Sequence, residues 1–268
     1  DKEGITLHHL LTHGAGFPGG IGYDYAEILR DEYIRQSYAT ELLFKPGEGY
    51  EYSNVGFALA AAIVEVVSGV SYDEFTQEHL FKPAGMLKTG YKIPEELHQD
   101  VAVGYRGANQ WGKPVDKPWA EDGPYWHLRG NGGTIANVYE MYKWHKALTG
   151  DKILTAEAKK KMYTRHNPEG PGAQSFYGYG WSLLTTERDK ELITHNGGNP
   201  YFANDYYRYP DDDVVIMISG NNGDKKATRL GRALRQIIFD GKIPEKQTRK
   251  EVTANLEDLA IGRNALAC

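Results

Sequence analysis

The chain has 268 residues, 40% hydrophobic and 25% charged, ordinary values for a globular chain long enough to bury a sizeable core. Its 36 acidic and 31 basic residues leave a net charge of −5 without a basic block, which argues against a nucleic-acid binder. The longest apolar run, Phe57 to Val67, is interrupted by Glu65, so no segment is expected to span a membrane; the lone cysteine, Cys268, allows neither an intrachain disulfide nor a zinc site built on two cysteines.

The start, Asp1-Lys2-Glu3, carries no signal peptide and no initiator Met, and it reads as the beginning of a processed or truncated product. Ile5 to Thr12 is predicted as a short helix, and Tyr25 to Gln36 as another with apolar Ile28, Leu29 and Ile34. Asn54 to Ser68 is a helix of small and branched apolar residues, hence buried, and Gly69 stops it. Ser71 and Glu74 form a capping box for the next helix. Residues 82–133 read mostly as loop, dotted with Tyr105, Trp111, Trp119, Tyr125 and Trp126, and a long irregular stretch of that kind lines a site or forms a lid. Asn137 with Glu140 opens a capped helix running to Leu148.

Beyond residue 170 the pattern changes to strands: Tyr177 to Thr185, Glu191 to His195, Tyr201 to Tyr209 and Asp213 to Ser219. Short turns such as Pro210-Asp211-Asp212 imply an antiparallel meander. Ala227 to Phe239 is an amphipathic helix, and a polar tail follows over 241–268. The expected class is α+β: one domain with a helical lobe over about 1–170 and an antiparallel sheet with its helix over about 175–240. Val214 to Ile218 is apolar on both faces, as a covered strand is, yet it is the last strand of the chain. A further strand is therefore expected beside it, from a missing N-terminal segment.

None of the seven serines lies in Gly-x-Ser-x-Gly, and none precedes a lysine by three residues. His8, His9 and His13 hint at a metal, with His9 and His13 one helical turn apart, but His-Glu-x-x-His is absent and no third ligand is marked. Two other stretches carry more chemistry. In Lys45-Pro46-Gly47-Glu48-Gly49-Tyr50-Glu51-Tyr52-Ser53-Asn54, a glycine turn ends in a phenol, a hydroxyl and a carboxamide. If the segment is extended, Tyr52 and Asn54 share a face and Ser53 points elsewhere. A tyrosine can shuttle protons, and an Asn amide can hold a substrate carbonyl or a lysine. In His195-Asn196-Gly197-Gly198 a strand ends at glycines whose amides can donate to an oxyanion. Read singly, each stretch is equally a turn, a cap or a bulge.

In order, these motifs resemble the serine β-lactamase and penicillin-binding-protein family, in its class C, esterase and D-alanyl-D-alanine carboxypeptidase branch. Ile5 to Gly16 is similar to its I-T-x-x-x-L-L-x-H-x-S-G segment, with Ala15 where Ser is usual. Pro46-Gly47 with Tyr52-Ser53-Asn54-Val55-Gly56, Pro83-Ala84-Gly85-Met86, Gly132-Gly133 and Tyr177-Gly178-Tyr179-Gly180-Trp181 resemble further elements. His195-Asn196-Gly197 stands where the family has its K-T-G or H-x-G strand, and Lys88-Thr89-Gly90 spells K-T-G only as a decoy. The resemblance implies a β-lactamase/transpeptidase-like fold and a serine hydrolase that opens an amide, ester or lactam through an acyl-enzyme, with no cofactor and no metal. It implies Tyr52 as general base and acid, Asn54 as the substrate-amide or lysine contact, and His195 in the electrostatic role of the third-motif lysine. The Gly197-Gly198 turn would hold the substrate, and the Gly198 amide would form half of the oxyanion hole. The family's Ser-x-x-Lys pair lies upstream of Ile5, so the nucleophile helix and N-terminal strands are expected to be missing and the fragment inactive alone. Expected partners are a small-molecule or peptide substrate and the missing segment. The compartment is open, with export favoured by the resemblance. Rival readings are a non-catalytic binding or regulatory protein on this scaffold, and a metal-dependent hydrolase.

Overall fold

The computed structural model describes residues 1–223 and 226–241; the polar tail expected over 241–268 falls, after Gly241, outside the described residues. The first part is helical: α1 Leu7–Leu11, α2 Arg30–Ala39, α3 Asn54–Ser68 and α4 Tyr72–Thr76, which passes through a π turn into α5 Lys82–Ala84. Next come a small hairpin, β1 Gly104–Arg106 and β2 Asn109–Gly112, then α6 Val138–Thr149 and α7 Ala156–Met162. One six-stranded antiparallel sheet follows, and its strands neighbour one another in chain order: β3 Asn167–Pro168, β4 Ser175–Tyr177, β5 Ser182–Thr185, β6 Glu191–Gly198, β7 Ala203–Tyr209 and β8 Val214–Gly220. Helix α8 Lys226–Asp240 packs on β7 and β8.

The centre of the helical part is α3. Its apolar residues Val55, Ala58, Ala61 and Ala62 are all buried, and their small side chains let neighbouring segments approach. One side meets Leu10, Ala15 and Phe17; the other meets Ile28, Tyr33 and Trp126. Gly69 ends the helix at φ +76, a conformation open to glycine. Caps fall where polar residues invite them. Ser71 Oγ accepts from the Glu74 amide, and Asn137 Oδ1 accepts from those of Tyr139 and Glu140. Thr6 and His9 form a reciprocal capping box that starts α1. Beneath the sheet, Leu192, Tyr209, Ile216 and Ile218 form a core closed by Leu234 and Phe239 of α8.

Several predicted boundaries move, each for a physical reason. Helix α2 begins at Arg30 rather than Tyr25, because Ile28 is drawn into the core in extended chain and Asp31 and Glu32 occupy the first turn, where the helix dipole favours acids. Tyr177 to Thr185 is two strands of a tight hairpin, turning at Gly180 with φ +77 and pairing Tyr177 with Ser182. Asp213 adopts φ +51 and serves as the turn before β8. The 82–133 stretch carries the β1–β2 hairpin, tied to the sheet where the Tyr105 amide donates to the Asn221 carbonyl at 2.9 Å. Among the described residues β7 is the only strand paired with β8. Ile216 and Ile218 face the α8 core, while Val215 and Met217 on the opposite face are half-buried.

Candidate active site

Tyr52 and Asn54 join His195, more than a hundred residues on, in one pocket of about 140 Å³ with Phe57, Asn131, Tyr177 and Gly180. The turn before α3 delivers the first two. Ser53 is extended, with φ −134 and ψ 114, so its neighbours point one way while its own side chain points the other. Ser53 is 3% exposed, and its hydroxyl donates to the Pro18 carbonyl at 2.7 Å. Asn54 is the first residue of α3, buried, with its amide donating to the Gly19 carbonyl.

A second histidine sits under this element. His13 is 2% exposed and holds φ +56, which side-chain-bearing residues rarely adopt. Its carbonyl accepts from the Glu51 amide at 3.1 Å, and its Nδ1 accepts from the Ser53 amide at 3.0 Å. The ring is packed 4.2 Å from Tyr52 and 4.4 Å from Tyr177, centroid to centroid. An Nδ1 that accepts must be unprotonated, so this network assigns the proton to Nε2. Burial, then the charge of His195, hold the pKa of His13 at about 3. His13 is a neutral strut.

His195 reaches the pocket from β6, paired across the sheet with Tyr206 of β7. Its Nε2 and the Tyr177 hydroxyl are 2.9 Å apart, and its ring lies 6.1 Å from that of Tyr52. Burial lowers its pKa, opposed by a backbone hydrogen bond to Asn196 and by the charge of Glu169. His195 is therefore neutral at pH 7 and offers a hydrogen bond where a lysine would offer a fixed charge. Glu169 itself accepts from Ser182 Oγ at 2.6 Å and from the Tyr50 hydroxyl at 3.3 Å.

Gly197 and Gly198 close β6, paired with Asn204 and Ala203, just beyond the pocket lining. The decoy Lys88-Thr89-Gly90 lies in the helical part: the Lys88 amide donates to buried Glu140 at 2.9 Å, and Gly90 bridges Ile135. Among the described residues no three His, Cys, Asp or Glu converge on a metal position. Each of the suspected trio has another partner: His9 Nδ1 accepts from the Thr6 amide, His13 Nδ1 from the Ser53 amide, and His8 Nδ1 lies 3.0 Å from the Tyr179 hydroxyl. Reasoning from sequence missed Phe57, Asn131 and the parts played by His13 and Tyr177. Both the His-Gly-Ala-Gly and the Tyr-Gly-Tyr-Gly-Trp motifs were visible, but only the fold shows that their first residues meet.

A family model described as Beta-lactamase matches residues 1–238. A penicillin-binding protein of Bacillus subtilis (strain 168) is 27% identical over 271 residues, which cover 94% of this chain and 60% of that protein. This chain thus spans about 60% of that relative's length. Among solved structures, the octameric penicillin-binding protein homologue from Pyrococcus abyssi superposes with a TM-score of 0.73 at 26% identity, over 90% of this chain and 57% of that one. The D-amino acid amidase from Ochrobactrum anthropi SV3 shares the fold, with a TM-score of 0.70 at 24% identity over 89% and 73% of the two chains.

Proposed function

Because this chain belongs to the beta-lactamase family, we propose that it forms the larger part of a serine hydrolase opening an amide, ester or lactam bond through an acyl-enzyme. The observation that carries the reading is the convergence on one pocket of Tyr52 and Asn54, from the start of α3, with His195, from β6. Tyr52 relays the proton between the attacking hydroxyl and the leaving group. Asn54 donates its carboxamide to the substrate. Neutral His195 orients by hydrogen bonding, and the amide of Gly198 meets the developing oxyanion.

The attacking serine comes from outside these 268 residues. Support for this lies in the pocket lining, which contains no serine, and in Ser53 and Ser182, whose hydroxyls are bound to Pro18 and Glu169. The edge of β8, with β7 as its only strand neighbour among the described residues, suits pairing with a strand of that same segment. The 268-residue chain is then inactive by itself, and a longer chain carrying Ser-x-x-Lys is active. Incubation with a fluorophosphonate or a penicillin, followed by peptide mapping, tests this. Labelling is expected only on the added serine, and labelling of any serine within this chain would refute it. If the longer natural chain lacks Ser-x-x-Lys, the same lining supports the binding-protein reading instead.

A further inference from the structure

Arg208 of β7 is 6% exposed, yet among the described residues no ion pair reaches it. Asp212, close by in sequence, is taken by Arg188 and Lys190. The guanidinium lies 5.1 Å over the ring of Tyr163, and its Nη1 donates to the Tyr163 hydroxyl. Among the described residues nothing accepts from its buried Nε, and the buried Tyr206 hydroxyl and His145 Nδ1 are likewise without hydrogen-bond partners there. These groups form one cluster. Tyr206 and Arg208 are two residues apart on one strand and therefore share a face, the face that carries His195 opposite Tyr206. Trp181 packs 5.3 Å from Tyr206 and 6.1 Å from Tyr163. Helix α6 brings up His145, whose pKa is lowered by burial and then by the positive charge of Arg208, with the charge of Asp213 opposing them.

A buried guanidinium without a counter-charge is costly, and each unsatisfied donor beside it adds to the cost. The groups here have donors to spare: Arg208 Nε–H, the Tyr206 O–H, and the proton of Tyr163, whose oxygen already accepts from Arg208. What they lack is an acceptor carrying one negative charge. We infer that Arg208, Tyr206, Tyr163 and His145 form a carboxylate-binding site beside the Tyr52–His195 pocket, on the same face of the sheet. A planar two-oxygen anion matches the single guanidinium fork. The carboxylate is that of a free small acid. Because Tyr206 is the cross-strand neighbour of His195, whatever binds there is anchored next to the pocket.

The test uses the 268-residue chain in a carboxylate-free buffer, with sodium acetate titrated against sodium chloride at matched ionic strength. Unfolding and Trp181 fluorescence are followed in wild type, Arg208→Met and Tyr206→Phe. With a free acid as ligand, acetate but not chloride stabilises wild type, by about tenfold in the folding constant for each tenfold of acetate beyond half-saturation, and Arg208→Met abolishes the response. Tyr206→Phe, which leaves the charge in place and is read even if Arg208→Met does not fold, weakens the acetate response severalfold. Wild type indifferent to acetate, or an acetate response that neither variant reduces, overturns the inference.

Discussion

Acid should separate the wild-type chain from His13→Asn, and the size of the gap follows from the geometry of His13. In the unfolded chain its imidazole takes up a proton below pH 6.5; in the folded chain burial and His195 delay this to about 3. The folded pKa is depressed and the group is a base, so the unfolded state binds the extra proton. Stability is complete above pH 6.5 and is lost as pH falls toward 3. At pH 5 the solution is 1.5 units below the unfolded value, and at ~1.36 kcal/mol per unit the loss from this one residue is about 2 kcal/mol. Asparagine does not titrate, accepts φ +56 more readily than most residues, and places Oδ1 where Nδ1 now receives the Ser53 amide. Urea unfolding at pH 7 and pH 5 should therefore show wild type losing about 2 kcal/mol more than His13→Asn. His8, His127, His145 and His195, whose pKa values are also lowered, act in both proteins and cancel in the comparison. Equal losses in the two proteins would show that His13 titrates as it does in water, and the strut assignment would fall with them.

In a catalytically complete chain, Tyr52→Phe should lower kcat/KM roughly 10²- to 10⁴-fold, measured by steady-state hydrolysis. Ser53→Ala in that chain should stay within about twofold of wild-type activity while losing about 1 kcal/mol of stability with its bond to Pro18. Gly16→Ala would place a Cβ 2.2 Å from the Phe44 carbonyl oxygen at φ +85, and chemical denaturation should show a loss of about 2 kcal/mol or more. Leu183 is fully buried opposite Ile193, and Leu183→Ala should cost about 2–5 kcal/mol by the same assay.

Local chemistry carried much of the fold. Small apolar residues between Asn54 and Ser68 spelled a buried helix, and the apolar run from Val214 to Ile218 spelled a strand, which among the described residues has β7 as its one strand neighbour. Legibility failed where long-range packing overrode local preference. Ile28 left its helix for the core, and Tyr177 turned a hairpin at glycines that read equally well as strand. The site divided in the same way. That Tyr52 and Asn54 point the same way was legible because an extended triplet sets alternate residues on one face. His13 was not, since its meaning lies in an amide of Ser53 forty residues on. The neutrality of His195 was equally hidden, because it depends on burial.

The sheet's chain-order pairing also bears on how the molecule assembles. Every strand from β3 to β8 hydrogen-bonds to the next one along the chain, so the whole sheet can zip up through short loop closures. Joining Tyr52 to His195, by contrast, closes most of the chain into one loop, the entropically dearer event. A folding transition state is thus expected to hold the β6–β7 hairpin largely formed while the turn before α3 is still unanchored, so that substitutions around His195 slow folding and those around Tyr52 mainly hasten unfolding.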